Sequence, residues 1–393
     1  MNANKELILK LIPAIRMIMS PKSLKAGSFI PLDELLETDP EQISLRLGRS
    51  ISVFSEEGDL LLDAITKSRD EIGQYIFLEK YGLLGLSSNK SQVEQKLGTV
   101  RKESRGGELP DSVPVPQIPK QLYNKIIAVT GGAMGYGEGI ARQLFAEGAN
   151  LVLMDINEEA GNSVASEMNS SKTPNRAFFV KTDVTDLDSV QNAVYESVLE
   201  FGGLDVIISN AGVLKAGPVE EMDPKTFDFV TRVNYNGYYN CVKAVAPVMK
   251  SQNKHGEDNY GDIIQINSKS GLVGSNKNFA YAGSKFGGVG LTQSFALELM
   301  PDRIKVNAIC PGNFFEGPLW SDPEKGLFVQ YLKAGKVQGA KTIADVKAHY
   351  ESLVPAGRGC RIGDVVKAIK YVIEQEYETG QAIPVTGGQT MLS

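Results

Sequence analysis

Two side chains able to exchange a proton with a substrate lie four positions apart, Tyr281 and Lys285. Residues at this spacing share one face of an α-helix. A phenol has a pKa of about 10, so it stays protonated at neutral pH unless a nearby cation favours the phenolate. Lys285 supplies such a cation, and the pair is therefore a candidate general acid or base. The alternative is a chance pair on a surface helix.

A glycine-rich turn occupies residues 130–137, between a predicted strand and a predicted helix over 138–147. Glycines allow the backbone to turn tightly and approach a pyrophosphate, which the helix N-terminus binds through free amides and its dipole. The position between strand and helix makes this pattern indicative of a dinucleotide site. We expect cofactor contacts at Gly131, Gly135, Tyr136 and Gly137.

An acidic residue, Asp155, ends the second predicted strand of this region, 155 − 135 = 20 residues after Gly135. A carboxylate at this distance accepts the hydroxyls of the adenosine ribose and repels a 2′-phosphate. Positions 133, 134, 156 and 157 carry no Arg or Lys that would attract that phosphate. The sequence therefore predicts NAD rather than NADP, with a further contact at Ile156, unless the acid only caps a loop.

Short apolar runs alternate with amphipathic helical patterns through the C-terminal region. Strands are predicted at 125–130, 150–155, 177–182, 204–209, 262–267, 305–309 and 381–385, with helical stretches that include 188–200 and 227–249. Strands that are apolar throughout, each followed by a helix, indicate a parallel sheet covered on both faces. The predicted fold class is α/β, a Rossmann-type doubly wound sheet whose ligands bind at the carboxyl ends of the strands.

The chain is predicted to divide into residues 1–101, a linker at 102–122 and a main domain at 123–393. The linker carries Pro110, Pro114, Pro116 and Pro119. The first segment shows helical patterns at 6–19 and 59–80 and a possible strand at 51–54. We expect a small, mainly helical capping or oligomerisation module there, rather than a second catalytic domain.

Composition limits the functional classes that remain open. The 393 residues are 42% hydrophobic with a net charge of −6, which argues against a broad nucleic-acid-binding face. Three scattered cysteines and two histidines outside any motif argue against a metal site, a disulfide framework and a His-based triad. No apolar run is long enough to predict a membrane span. A cytoplasmic protein is expected.

Taken in order, the glycine turn, Asp155, the stretch 210–212 and the Tyr281/Lys285 pair resemble the short-chain dehydrogenase/reductase family over residues 123–393. The spacing of the turn, Thr-Gly-x-x-x-Gly-x-Gly, is specific to that family. The resemblance implies that Asn210, Ala211 and Gly212 steady the sheet near the cofactor. It also implies an adenine contact at Asp183 with Val184 beside it, and a turn flanking the nicotinamide at Pro311 and Gly312.

The resemblance also assigns catalytic residues. Asn234 matches the residue that holds a water in the family's proton relay, and Ser268 matches the family serine, 281 − 268 = 13 positions before the tyrosine. Lys285 would also bind the nicotinamide ribose. Asn267 departs from the second serine that is common there, which concerns packing around the site more than its chemistry.

Within the family, residues 261–271, 285–294 and 385–389 resemble the enzymes that oxidise sorbitol 6-phosphate to fructose 6-phosphate with NAD. Ser268, Lys269, Lys215 and Asn313 are candidate substrate contacts. A substrate phosphate needs a cation, for which Lys277, Arg358 and Arg361 are further candidates. Aromatic side chains at Trp320, Phe328 and Tyr331 lie in the stretch 316–349, where the family places a substrate lid.

Two alternatives stay open: another polyol or hydroxy compound as substrate, or a non-catalytic dinucleotide-binding sensor. The expected partner is a small sugar alcohol or sugar phosphate. A homo-oligomer, dimer or tetramer, is implied by the resemblance.

Overall fold

Seven parallel strands form the sheet predicted for the C-terminal region. The computed structural model describes residues 3–20, 25–47, 49–87, 90–102, 121–171, 173–333 and 335–391. The strands are β5 (Ile126–Thr130), β6 (Asn150–Asp155), β7 (Ala177–Lys181), β8 (Val206–Ser209), β9 (Gly261–Ile266), β10 (Ile304–Pro311) and β11 (Ala382–Val385). Their order is β11-β10-β9-β8-β5-β6-β7. The order reverses between β5 and β8, which places a ligand crevice at the carboxyl ends of these two strands.

Helices cover both faces of this sheet, as predicted. They are α5 (Gly135–Ala146), α6 (Glu158–Asn169), α7 (Leu187–Phe201), α8 (Pro224–Thr231), α9 (Gly237–His255), α10 (Phe279–Leu299), α11 (Pro318–Ser321), α12 (Leu327–Lys333), α13 (Ile343–Ser352) and α14 (Ile362–Glu374). Along β5, Ile126 and Ala128 join the core beneath α7 and α9, whereas Ile127 and Val129 join the core beneath α5 and α14. This alternation explains why the strand reads as apolar throughout. No helix in the described ranges is long and apolar enough to cross a membrane.

The stretch predicted as one helix over 227–249 is two helices. α8 ends at Thr231, the chain makes a π-helical turn at Arg232–Asn236, and α9 begins at Gly237. An insertion of this kind keeps the apolar periodicity nearly intact, so the sequence pattern did not reveal it. π-helical turns often occur at functional sites, and this one carries Asn234.

The N-terminal segment is mainly helical, as predicted, but it also holds a four-stranded sheet of order β1-β4-β3-β2. Its elements are α1 (Ala3–Ile18), β1 (Ala26–Pro31), α2 (Pro40–Leu47), β2 (Ser52–Phe54), α3 (Gly58–Lys67), β3 (Tyr75–Leu78), β4 (Gly82–Ser87) and α4 (Lys90–Leu97). The strand expected at 51–54 is present. The helix expected over 59–80 is wrong beyond Lys67, because a short apolar run such as 75–78 suits either a helix or a strand.

Helix α1 packs against α9 and α7 of the main sheet's helical layer. Arg16, on α1, is fully buried and donates from Nη1 and Nη2 to the two carboxylate oxygens of Asp205, both at 2.8 Å. A second buried cation, Lys90, lies 2.6 Å from Glu94 and 3.2 Å from Glu200 of α7. The N-terminal segment therefore shares its core and its buried charges with the main domain.

Most of the predicted linker lies outside the described residues, at 103–120. The division into 1–101, 102–122 and 123–393 stays a prediction.

Candidate active site

Tyr281 and Lys285 lie on the first turns of α10, on the face directed at the carboxyl end of the sheet. Lys285 is 4% exposed and donates from Nζ to the Ile266 carbonyl at 2.8 Å. The same Nζ is 5.6 Å from the centroid of the Tyr281 ring. The Ser268 hydroxyl forms a hydrogen bond with the phenol of Tyr281. The structure thus brings together three of the four predicted catalytic side chains.

Burial shifts both titratable groups of this pair away from their charged forms. It raises the pKa of Tyr281, against the opposing effect of the Ser268 hydrogen bond. It lowers the pKa of Lys285 to about 8. Desolvation outweighs the effect of Ser268 on the phenol, and the expectation that Lys285 favours the phenolate stays a prediction. Ionisation of the phenol needs a further positive charge or a higher pH.

Replacing Lys285 with methionine is expected to stabilise the fold at neutral pH, because the substitution removes an ammonium whose burial is unfavourable. The folded pKa lies below the unfolded value, so wild-type protein gains stability as pH rises from about 8 to about 10.4. The increase in unfolding free energy of Lys285→Met over wild type should be largest below pH 8 and should decrease above it.

Urea denaturation at several pH values measures this difference in unfolding free energy. Lys215→Met, which removes an exposed ammonium, is the control. A Lys285→Met protein less stable than wild type at pH 7 would contradict the assignment of Lys285 as an unfavourably buried charge.

Ser268 lies two residues after the end of β9 and caps a short 3₁₀ turn by accepting a hydrogen bond from Ser270 N at 3.1 Å. Its neighbour Asn267 donates to the Lys285 carbonyl at 2.9 Å and accepts from Ser268 N at 2.8 Å. Asn267 therefore holds the end of β9 against α10. This contact agrees with the packing role inferred for the departure from serine.

Asn234 is buried in the π-helical turn, with its amide engaged by protein groups. Its Oδ1 accepts from Val213 N at 2.8 Å, and its Nδ2 donates to the Val213 carbonyl at 2.9 Å and to Ser284 Oγ at 3.1 Å. Ser284 in turn donates to the Tyr281 carbonyl. The side chain fixes the loop after β8 to α10. It does not line the cleft, so its predicted relay role stays a prediction.

The glycine turn forms a cradle that a larger residue would fill. Gly131 and Gly135 have φ values of +64° and +60°, which L-side chains rarely adopt. A Cβ on Gly137 would overlap the Gly131 carbonyl oxygen. Asn210 donates from Nδ2 to the Thr130 carbonyl at 3.0 Å, and Thr130 Oγ1 accepts from the amides of residues 210 and 211. The turn is therefore held open toward the crevice between β5 and β8.

A cleft of about 1080 Å³ runs from this turn past the catalytic pair. Most of the predicted cofactor and substrate residues line it: Gly131, Tyr136, Asp155, Ile156, Asp183, Val184, Asn210, Ala211, Gly212, Ser268, Lys269, Tyr281, Lys285, Pro311, Gly312 and Asn313. Gly135, Gly137 and Lys215 do not. At the far end, Asp155 accepts from Ala133 N at 3.1 Å and from Asn157 N at 3.0 Å. Its carboxylate is thereby fixed beside the glycine turn.

Three of the cations considered for a substrate phosphate stand elsewhere, and sequence reasoning missed one that lines the cleft. Lys277 does not line it, Arg358 forms an ion pair with Asp364 at 2.6 Å, and Arg361 lies 3.6 Å from Glu316. The missed cation is Arg232. The one sequence feature that could have identified Arg232 was its position two residues before Asn234, and nothing in the sequence indicated the π-helical turn.

The predicted lid stretch folds as α11, α12 and α13 around its own aromatic core. Trp320 and Tyr331 line the cleft, whereas Phe328 is buried behind them, 5.1 Å from the Trp320 ring between centroids. Phe314, another residue that sequence reasoning missed, packs on Tyr136 with ring centroids 4.3 Å apart. In the described part of the chain, no group of three or more His, Cys, Asp or Glu side chains is placed to hold a metal ion.

Comparison with known proteins agrees with this geometry. A family model described as short chain dehydrogenase matches residues 125–320. Sorbitol-6-phosphate 2-dehydrogenase of Escherichia coli K12 is 36% identical over 271 residues, 68% of this chain and 99% of that protein. Trans-4-hydroxycyclohexanecarboxylate dehydrogenase of Sinomonas cyclohexanicum is 31% identical over 280 residues, 70% and 96% of the two chains.

A solved structure extends the likeness to three dimensions. The crystal structure of the sorbitol-6-phosphate 2-dehydrogenase SrlD from Erwinia amylovora superposes with a TM-score of 0.62 at 35% identity. The superposition covers 68% of this chain and all of that one. With its sheet order, its glycine cradle and its tyrosine–lysine pair, this chain belongs to the short-chain dehydrogenase/reductase family, and it is an oxidoreductase of that family.

Proposed function

We propose that the protein transfers hydride between a sugar alcohol and NAD, with sorbitol 6-phosphate oxidised to fructose 6-phosphate. The observation that carries the proposal is the placement of Ser268, Tyr281 and Lys285 in one cleft with the glycine cradle and Asp155. The likeness to two sorbitol-6-phosphate 2-dehydrogenases supports this substrate over others in the family.

The cleft suits NAD. The open space above Gly135 and the overlap that a Cβ on Gly137 would cause fit a pyrophosphate at the start of α5. Asp155 would hold the adenosine ribose, Asp183 and Val184 the adenine, and Pro311 and Gly312 the nicotinamide side. When bound, NAD supplies the hydride acceptor.

The chain's own residues would handle the proton. Tyr281 takes it from the substrate hydroxyl as phenolate, and Ser268 orients the substrate oxygen through the hydroxyl that already bonds the phenol. Lys285, buried and anchored on the Ile266 carbonyl, brings positive charge to the phenol and would bind the nicotinamide ribose. Asn234 would link this relay to solvent. Because burial raises the pKa of Tyr281, we infer that oxidation accelerates toward alkaline pH.

The preference for NAD should depend on the charge of Asp155. Asp155→Asn keeps the size of the side chain but removes the repulsion of a 2′-phosphate, and Ile156→Arg adds a cation beside it. The double variant is expected to lower the ratio of kcat/KM for NAD to that for NADP by at least about 100-fold. Steady-state rates with each cofactor measure this ratio. An unchanged ratio would remove Asp155 from the ribose site, and Asp188→Asn, on the exposed start of α7, is the control.

The substrate proposal is tested by a screen of alcohols with NAD, following the absorbance of the reduced cofactor. The screen compares sorbitol 6-phosphate, sorbitol and trans-4-hydroxycyclohexanecarboxylate. The highest kcat/KM is expected for sorbitol 6-phosphate. A higher kcat/KM for another alcohol would change the proposed substrate but not the proposed class of enzyme. If calorimetry detects NAD binding but no alcohol is oxidised, the alternative of a non-catalytic dinucleotide-binding sensor would be favoured.

We further propose a cytoplasmic homo-oligomer, dimer or tetramer. The three cysteines are free and buried, and exposed apolar side chains on α10, Phe286 and Leu297, offer a surface for a second copy. Light scattering coupled to size-exclusion chromatography measures the mass. A monomer at micromolar concentration would contradict the assembly.

A further inference from the structure

The charged side chains of the cleft are separated by sign. Two acids, Asp155 and Asp183, line the end assigned to the adenosine. Arg232, Lys269 and Lys285 line the end that holds the catalytic pair, and none of the described acidic residues lines that end. Lys285 is anchored on the Ile266 carbonyl at 2.8 Å. The other two cations are therefore available to a ligand.

Neither Arg232, which is exposed, nor Lys269 is fully buried, unlike three cations elsewhere in the chain. Arg16, Lys90 and Lys305 each lie within 3.0 Å of a carboxylate oxygen. By contrast, neither Arg232 nor Lys269 forms an ion pair or side-chain hydrogen bond with any residue that the structure describes. Lys269 is half-buried, and that burial lowers its pKa. A partly desolvated cation without a counter-charge gains most from an incoming anion.

The two cations reach the cleft from different elements. Lys269 directly follows Ser268 at the end of β9, and Arg232 begins the π-helical turn after α8. Asn278 supplies an acceptor for hydroxyl groups. Its side chain lines the same cleft, and its Oδ1 is buried and has no hydrogen-bond partner within the described residues. An unpaired amide oxygen suits a donor, which a polyol supplies and a phosphate dianion does not.

We propose that Arg232 and Lys269 together bind the phosphate monoester of the substrate, while Asn278 accepts a hydroxyl of its carbon chain. This inference rests on the proposed function and makes these residues the determinants that separate phosphorylated from free hexitols. Arg232 supplies a planar guanidinium with several donors, and Lys269 supplies a point charge next to the reacting centre.

The test compares Lys269→Met, Arg232→Met and the double variant with wild type, using sorbitol 6-phosphate and sorbitol as substrates with NAD. Each single variant should lower kcat/KM for sorbitol 6-phosphate by about 10-fold or more, chiefly through KM, and leave sorbitol within about twofold. Lys254→Met, an exposed cation on α9 that does not line the cleft, is the matched control and should change neither. An equal loss with both hexitols, or no loss with sorbitol 6-phosphate, would overturn the proposal.

Binding measured without turnover separates this inference from the proposed function. Fructose 6-phosphate is titrated by calorimetry into protein saturated with NAD, a mixture of two oxidised species in which no hydride is transferred. Wild type should bind it at least about 10-fold more tightly than the double variant, while the Kd for NAD stays within about twofold. Equal binding by both proteins, or an equal loss of NAD affinity, would refute the phosphate site whether or not any alcohol is oxidised.

Discussion

Tyr281→Phe is expected to lower kcat for alcohol oxidation by about 10³-fold or more, because the variant has no group that accepts the substrate proton. Phenylalanine keeps the ring that packs near Lys285 and removes only the hydroxyl that bonds Ser268. The Kd for NAD should therefore stay close to that of wild type. Single-turnover and steady-state rates of NAD reduction measure the loss.

The matched control is Tyr239→Phe, which removes the same hydroxyl from an exposed position on α9 and should keep full activity. Circular dichroism and a melting curve establish that both variants fold. A folded Tyr281→Phe protein with more than about a tenth of the wild-type kcat would exclude Tyr281 as the proton acceptor.

Arg16→Ala is expected to destabilise the whole protein by about 3 to 5 kcal/mol, since it leaves the buried carboxylate of Asp205 without its counter-charge. Asp205 lies just before β8 and also accepts from Ile126 N at 2.8 Å and from Gln252 Nε2 at 3.1 Å. The unpaired charge would therefore disturb the centre of the main sheet. Chemical denaturation measures the change in unfolding free energy.

Lys10→Ala is the control for this experiment. Lys10 lies on the exposed side of α1, and its Nζ is 3.4 Å from a carboxylate oxygen of Asp59 on α3. An exposed pair is worth at most about 1 kcal/mol. A loss below about 1 kcal/mol for Arg16→Ala would show that the N-terminal segment is not held by this pair.

The stability that the Arg16–Asp205 pair contributes also depends on pH. Burial alone acts to raise the pKa of Asp205, but Arg16 beside it reverses this and the pKa is lowered. Because the pKa of Asp205 is lower in the folded protein than in the unfolded chain, the contribution of the pair to stability is fully present above the unfolded pKa. It is lost as pH falls through the folded pKa.

The main sheet was predictable because its strands are buried on both faces. Runs such as 126–129 and 151–154 are apolar throughout and are separated by helical patterns, which leaves few alternatives to a parallel sheet. The turn at 130–137 was predictable for a different reason. Gly131 and Gly135 adopt positive φ and Gly137 meets the Gly131 carbonyl, so the local backbone requires glycine at those positions.

The N-terminal sheet was not predictable in the same way. Residues 75–78 and 82–87 are short and carry no clear alternation, and their strands are defined by pairing with β1 and with each other. The role of Arg16 was equally hidden, since its partner Asp205 is 189 residues away. An arginine in an amphipathic helix is normally read as solvent-exposed, and only the three-dimensional structure shows it buried.

Within the site, residue types and spacing predicted which side chains meet but not their energetics. The spacing of Tyr281 and Lys285 required a shared helix face. The direction of their pKa shifts depends on desolvation by surrounding elements, which no local motif encodes. Arg232 was missed for a related reason: the π-helical turn that brings it to the cleft leaves no periodic signature.

Identification of the products formed from sorbitol 6-phosphate and NAD tests the proposed activity of the protein. Purified wild-type protein should yield fructose 6-phosphate and reduced NAD in equal amounts, quantified by nuclear magnetic resonance and absorbance on the same sample. Tyr281→Phe should yield neither over the same time. Reduced NAD without fructose 6-phosphate, equal yields from the Tyr281→Phe protein, or no product from wild type that binds NAD would contradict the account.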